Sequence, residues 1–218
     1  MINYKCTKDK SEVRNVIDKI CAFLTTKIRK EMPEVDDEKA EIIMYGLQVI
    51  IGEIPKIFLI FIVAYFLGIM KLTIITFLVI VPYRNFSGGL HMKTHMSCIV
   101  YTLSLYCGTA LIGKYLVINE IAKYVLGIGI WIFGMVMITL YAPADTENVP
   151  ILRKKERKQK QIMSYIVLTL EIIIALIINV PSITSIILIG DLMQTMMITR
   201  FAYKLTDNKY GHEVYASI

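Results

Sequence analysis

An all-helical, polytopic membrane protein is the fold class this sequence predicts, and three features point there. Of its 218 residues 56% are hydrophobic and only 19% are charged, and the mean hydropathy is +0.58; one soluble core of this length cannot hide that much apolar surface. The charges are gathered in blocks, and the runs between them approach the roughly 20 apolar residues a helix needs to cross a bilayer. The basic blocks also recur along the chain in the manner of topology signals. A net charge of +6 suits nucleic acid in principle, but the Lys and Arg residues lie between oily runs rather than along one exposed face, so no nucleic-acid partner is expected.

From Ser11 to Glu31, Val13, Val16, Ile17, Ile20, Cys21, Leu24 and Ile28 recur at three- and four-residue steps while Lys19, Lys27, Arg29 and Lys30 lie elsewhere. This is the pattern of an amphipathic helix, seated either on its own protein or in the lipid headgroup layer. The segment is too charged for a cleavable signal peptide, so the chain is expected to stay intact. Glu34, Asp36, Asp37 and Glu38 suit a helix N-terminus, which predicts a second helix from near Val35. Its uncharged part, Ile57 to Met70, has to borrow Ile51 to Lys56 to span, and Pro55 is a candidate kink. Leu72 to Tyr83 offers twelve uncharged residues, so it is read as a short span rather than a re-entrant loop. Met96 to Gly113 and Tyr124 to Ala144 are clear crossings; Gln161 to Val180 and Ser182 to Thr199 are each broken once, by Glu171 and by Asp191. Six crossings result, in three segments: an interfacial N-terminal segment (1–40), a transmembrane catalytic domain (41–200) and a tail (201–218).

Loop charge tests this count. Residues 1–40 carry nine Lys or Arg, 84–95 two, 145–160 six and 200–218 three. The opposite side has Lys71, Lys114 and Lys123, and Lys56 falls inside the first span. The positive-inside rule therefore puts both termini in the cytoplasm of a multi-pass plasma-membrane protein. If the short second span failed to cross, every later loop would change side.

The stretch Arg84-Asn85-Phe86-Ser87-Gly88-Gly89-Leu90-His91-Met92-Lys93-Thr94-His95-Met96-Ser97-Cys98 is the densest set of reactive groups. Cysteine beside imidazole makes a nucleophile for acyl transfer, and Gly88-Gly89 breaks a helix and lets backbone amides approach a ligand. The competing account is a turn between two spans. On one continuous helix His91 and Cys98 would lie about 10.5 Å apart along the axis, too far for proton transfer. The helix must break between them, or His95, three residues from Cys98, is the partner. Cys6, Cys21, Cys98 and Cys107 show neither metal-ligand spacing nor a disulfide framework. No metal or organic cofactor is expected.

This stretch resembles the accessory gene regulator B family (AgrB), membrane cysteine endopeptidases that process quorum-sensing propeptides. The resemblance rests on Arg84, Gly88, Gly89, His91 and Cys98. A second block, Ala142 to Ile151 followed by Arg153, Lys154 and Lys155, is also similar, as is Tyr45-Gly46-Leu47. Met92 and Val149 depart from the family's usual residues, which bears on substrate subtype. The resemblance implies that Cys98 and His91 are catalytic, that the partner is an AgrD-like propeptide, and that the enzyme is a homodimer. It further implies cleavage on the C-terminal side, then cyclisation of the new acyl end to a thiolactone or lactone.

The other candidates support this site. Arg84 has the planar fork to bind a peptide carboxylate, or it anchors the end of a span. Arg153, Lys154 and Lys155 would meet an acidic substrate tail or anionic lipid, or form a solvated loop. Asp145 would orient His91 or cap a loop. Glu171 and Asp191, costly in lipid, should face other helices or water, with interhelical contact favoured over peptide passage or subunit association; in the rival reading of a non-enzymatic transporter or peptide exporter they would line the path.

Overall fold

The computed structural model of the chain describes residues 12–32, 35–90, 92, 95–146, 150–151 and 153–215. Among these, all regular structure is helical: α1 (Glu12–Glu31), α2 (Asp37–Phe66), α3 (Met70–Ser87), α4 (His95–Tyr115), α5 (Glu120–Tyr141), α6 (Lys154–Ile177), α7 (Pro181–Met197), α8 (Arg200–Leu205) and α9 (Gly211–Tyr215). The chain forms two compact units, residues 1–62 and 63–218.

In the first unit, Cys21 and Thr25 of α1 are buried while Ile20 and Phe23 are exposed, and Asp18 accepts a hydrogen bond from Gln48 Nε2 at 2.8 Å. The helix α2 runs without interruption through Pro55. Lys56 and Glu53, one turn apart, pair at 2.6 Å.

The second unit is a bundle of α3 to α7. The central member is α7, which packs on α3, α4, α5 and α6. Its Thr184, Ser185, Asp191, Gln194 and Thr195 are buried while Leu192, Met193 and Met196 are exposed, so the polar side chains face the neighbouring helices and the apolar ones face outward. By contrast α5 exposes Ile121, Val125, Ile128, Ile132, Val136 and Leu140. That stripe would be unfavourable in water and suits hydrocarbon. Small residues set the close approaches: a Cβ on Gly134 would strike Leu168 of α6, and one on Gly113 would strike Ile186 of α7.

Four helices among the described residues are long and apolar enough to cross a membrane: Gly46–Phe66, Met96–Tyr115, Glu120–Tyr141 and Lys154–Ile177. The two other expected crossings fall short for physical reasons. At 18 and 17 residues, α3 and α7 extend about 27 and 25 Å, against a hydrocarbon core of about 30 Å. Lys71 and Arg84 occupy the ends of α3, and Asp191 interrupts α7. Nevertheless the helices from α3 to α7 alternate in direction. At one end Gly88, after α3, bridges to Ala144, after α5; at the other, Ser185 Oγ of α7 donates to Leu116 O beyond α4 at 2.7 Å.

Candidate functional site

One end of the bundle gathers the segments singled out by sequence. Ser87 closes α3, and the chain then takes positive φ at Gly88 (76°) and Gly89 (147°), a backbone that only glycine adopts without strain. The turn is locked to the segment after α5. Ala144 N donates to Ser87 O at 2.8 Å, and Gly89 N donates to Ala144 O at 2.9 Å. A Cβ on Gly88 would collide with the Ala144 backbone. Gln194 of α7 completes the lock from below, its Nε2 donating to Gly88 O at 2.8 Å and to Ser87 Oγ at 3.0 Å. The two glycines thus serve a backbone-to-backbone junction between segments 56 residues apart.

Arg84 points back over this turn. Its Nη2 donates to Leu90 O at 2.9 Å, and the guanidinium lies against Gly89. Its Nη1 is buried and makes no hydrogen bond among the described residues. Tyr101 of α4 is within electrostatic reach of both Arg84 and Cys98, though its hydroxyl and Arg84 Nη1 do not meet with the geometry of a hydrogen bond. Cys98 is half-buried in the first turn of α4 and is not in a disulfide. Its carbonyl accepts from Thr102 Oγ1 at 2.6 Å. The helix carrying Cys98 starts at His95, downstream of the glycine turn. His91 and the side chains of His95 and Tyr45 lie outside the described residues.

Of the two readings of Asp145, the described contacts are those of a loop cap. Its side chain is fully buried and receives Ile151 N at 2.9 Å on Oδ2, His212 N at 2.9 Å on Oδ2, and His212 Nδ1 at 2.7 Å on Oδ1. Arg157 Nη1 stands 3.2 Å from Oδ1. The carboxylate is therefore committed to the loop, to α6 and to the C-terminal tail, with its acceptor sites filled by these donors. The imidazole it orients is that of His212, a residue the sequence pattern left unmarked. Tyr203, Tyr210 and Gln194 were likewise not anticipated; the one available hint was a tail too rich in tyrosine to be merely solvated.

Arg153, Lys154 and Lys155 are exposed at the start of α6. Basic residues there oppose the preference of a helix N-terminus for negative charge, which suits an anionic partner. Beside them an open cleft of about 440 Å³ is lined by Ala142, Pro143, Lys154, Arg157, Lys158 and Gln161, among others.

Glu171 and Asp191 occupy α6 and α7 in the bundle interior, within electrostatic reach of each other. Glu171 Oε2 and both Asp191 oxygens receive no hydrogen bond among the described residues. As expected, they face other helices.

The model of the family described as accessory gene regulator B matches residues 21–198. An AgrB-like protein of Clostridium acetobutylicum is 28% identical over 200 residues, covering 90% of this chain and 91% of its own. An AgrB-like protein of Listeria innocua is 27% identical over 179 residues, covering 80% and 84%. Accessory gene regulator protein B of Staphylococcus aureus is 28% identical over 151 residues, covering 69% and 78%. No solved structure matches the chain.

Proposed function

Because the chain belongs to the accessory gene regulator B family, we propose that it is a membrane cysteine endopeptidase that trims the C-terminal part of an AgrD-like quorum-sensing propeptide and leaves the new acyl end activated for ring closure. The observation that supports this reading is the half-buried, disulfide-free Cys98 in the first turn of α4, with Tyr101 one turn on within electrostatic reach of both Cys98 and Arg84. A nucleophile needs access, neighbouring donors and a rigid frame, and this end of the bundle supplies all three.

In the proposed reaction the Cys98 thiolate attacks the scissile carbonyl carbon. His91 gives a proton to the departing amine, and an acyl-thioester on Cys98 results. A cysteine within the bound peptide then attacks that thioester, forming the ring thioester and returning the Cys98 thiol. One thioester replaces another, so acyl activation is conserved without ATP; a serine in the peptide would give a lactone. The apolar edge of the bundle limits water, and the tethered second nucleophile acts at high effective concentration. The spare Arg84 Nη1 is a donor for the substrate, and Arg153, Lys154 and Lys155 beside the cleft at the start of α6 suit its acidic tail.

The same reading puts six crossings in the plasma membrane, α3 and α7 included, with α1 at the inner surface and both termini in the cytoplasm. The alternation of α3 to α7 supports it, because it gathers Arg84, the α6 basic block and the tail at one end, and Lys114 and Lys123 at the other. A homodimer is part of the same proposal. The rival exporter reading draws no support from Glu171 and Asp191, which are buried between α6 and α7.

Co-expression with the propeptide tests the proposal. The parent protein should yield trimmed peptide and a trappable acyl-enzyme by mass spectrometry, and Cys98→Ser should yield no trimmed peptide. Continued trimming by Cys98→Ser would end the protease reading.

A further inference from the structure

The family match ends at residue 198, yet the chain beyond it is tied directly to the segment that locks the glycine turn. We propose that the C-terminal segment from Arg200 to Tyr215 is a positioning element of the site, with His212 as its principal residue. The proposal rests on the processing reaction above for its effect on rate, but the mechanical link it asserts is independent of that reaction.

The link is a chain of short polar contacts. His212 holds the Asp145 carboxylate twice, through its backbone N–H and through Nδ1. Tyr203 Oη donates between two successive carbonyls, to Ala144 O at 3.0 Å and Asp145 O at 3.2 Å. The same Ala144 oxygen accepts Gly89 N–H. Two contacts thus connect the tail to the glycine turn: His212 to Asp145 and, one peptide earlier in the chain, Ala144 to Gly89. Burial pushes the Tyr203 and Tyr210 hydroxyls far above the ordinary phenol range, so both stay protonated as donors.

The tail is fitted to this task. Tyr203 and Tyr210 stack at 4.1 Å with nearly parallel rings, and Tyr210 in turn stacks on Tyr141 at the end of α5. Tyr210 Oη donates to Ile198 O at 2.8 Å, returning the tail to the end of α7. Gly211 passes so close to Thr146 O and Pro150 that any Cβ would collide with both. These contacts lie at the junction of the α3, α5 and α6 ends.

Asparagine separates positioning from proton transfer. Its Nδ2 can occupy the place of His212 Nδ1 and donate to Asp145, whereas it offers nothing in place of Nε2. The test uses the full-length protein in lipid nanodiscs, with hydrogen exchange of peptides covering 86–90 and 142–146 and with the rate of propeptide trimming. For His212→Ala, loss of a part-buried charge-assisted hydrogen bond should raise exchange in both peptides by about tenfold or more, with trimming lowered by a similar factor through kcat rather than KM. Exchange in the centres of α5 and α6 should be unchanged. His212→Asn should recover both readouts to within about threefold. Parent-like exchange in His212→Ala overturns the proposal, as does His212→Asn behaving like His212→Ala. If the parent itself fails to trim the peptide, the processing reading fails, and the exchange result alone then decides the link between tail and turn.

Discussion

Two buried acidic sites in the same bundle are built in opposite ways. At the end where the loops meet, Asp145 is surrounded by donors from three parts of the chain: the loop at Ile151, Arg157 of α6 and His212 of α9. In the interior, Glu171 and Asp191 face one another, with no cation or amide paired to them among the described residues. Burial alone therefore says little about what a carboxyl group does. Asp145 organises backbone that would otherwise be loose, because every donor it binds belongs to a non-helical segment or a helix end. Glu171 and Asp191 sit between helices that already satisfy their own backbones, so their contribution is to the fit of α6 against α7.

The sharpest way to break this contrast is to remove Asp145. Asp145→Ala leaves Arg157, the His212 imidazole and two backbone N–H groups without their shared acceptor, and the expected loss is about 3 kcal/mol or more in unfolding monitored in detergent. A loss below about 1 kcal/mol would mean the cluster is decorative. Asp191→Asn should be much milder, within about 1 kcal/mol and of either sign, because no cation or backbone donor among the described residues is abandoned and the amide can still hydrogen-bond Glu171. A loss as large as that of Asp145→Ala would show that the Asp191 carboxylate holds something the bundle depends on. The smallest effect belongs to Arg200→Ala. Its ion pair with Glu213 joins side chains 65% and 49% exposed, so the change should stay below about 0.5 kcal/mol and shrink further in high salt.

The two sites also differ in how far sequence could reach them. Glu171 and Asp191 were legible as inward-facing, since an acid inside an apolar run has no cheaper place than a helix interface. The helices themselves followed from the apolar runs, with one instructive error of extent. The segment expected from Gln161 begins at Lys154 in the structure, because hydropathy marks only the lipid-facing part while Lys, Arg, Gln and Glu continue a helix well. The Gly88-Gly89 turn was legible as a break, and its partner was not. Ala144 lies 56 residues away and contributes only backbone, which leaves no side-chain signature. Arg84 was read as a carboxylate binder or span anchor, and what the sequence did not show is that its Nη2 also donates to the Leu90 carbonyl. Asp145 and His212, 67 residues apart, are joined by the tertiary fold alone.

The sheltered position of α7 bears on how the protein is made. A helix of 17 residues carrying Asp191, Gln194 and several hydroxyls is a poor candidate to partition unaided from the translocon, since an aspartate at mid-membrane costs about 3 kcal/mol. Its burial against four earlier helices means that those helices must already be assembled when it emerges. Helix α7 is then admitted by its predecessors rather than by the lipid, and synthesis stalled before residue 181 would leave a bundle with a vacant axis.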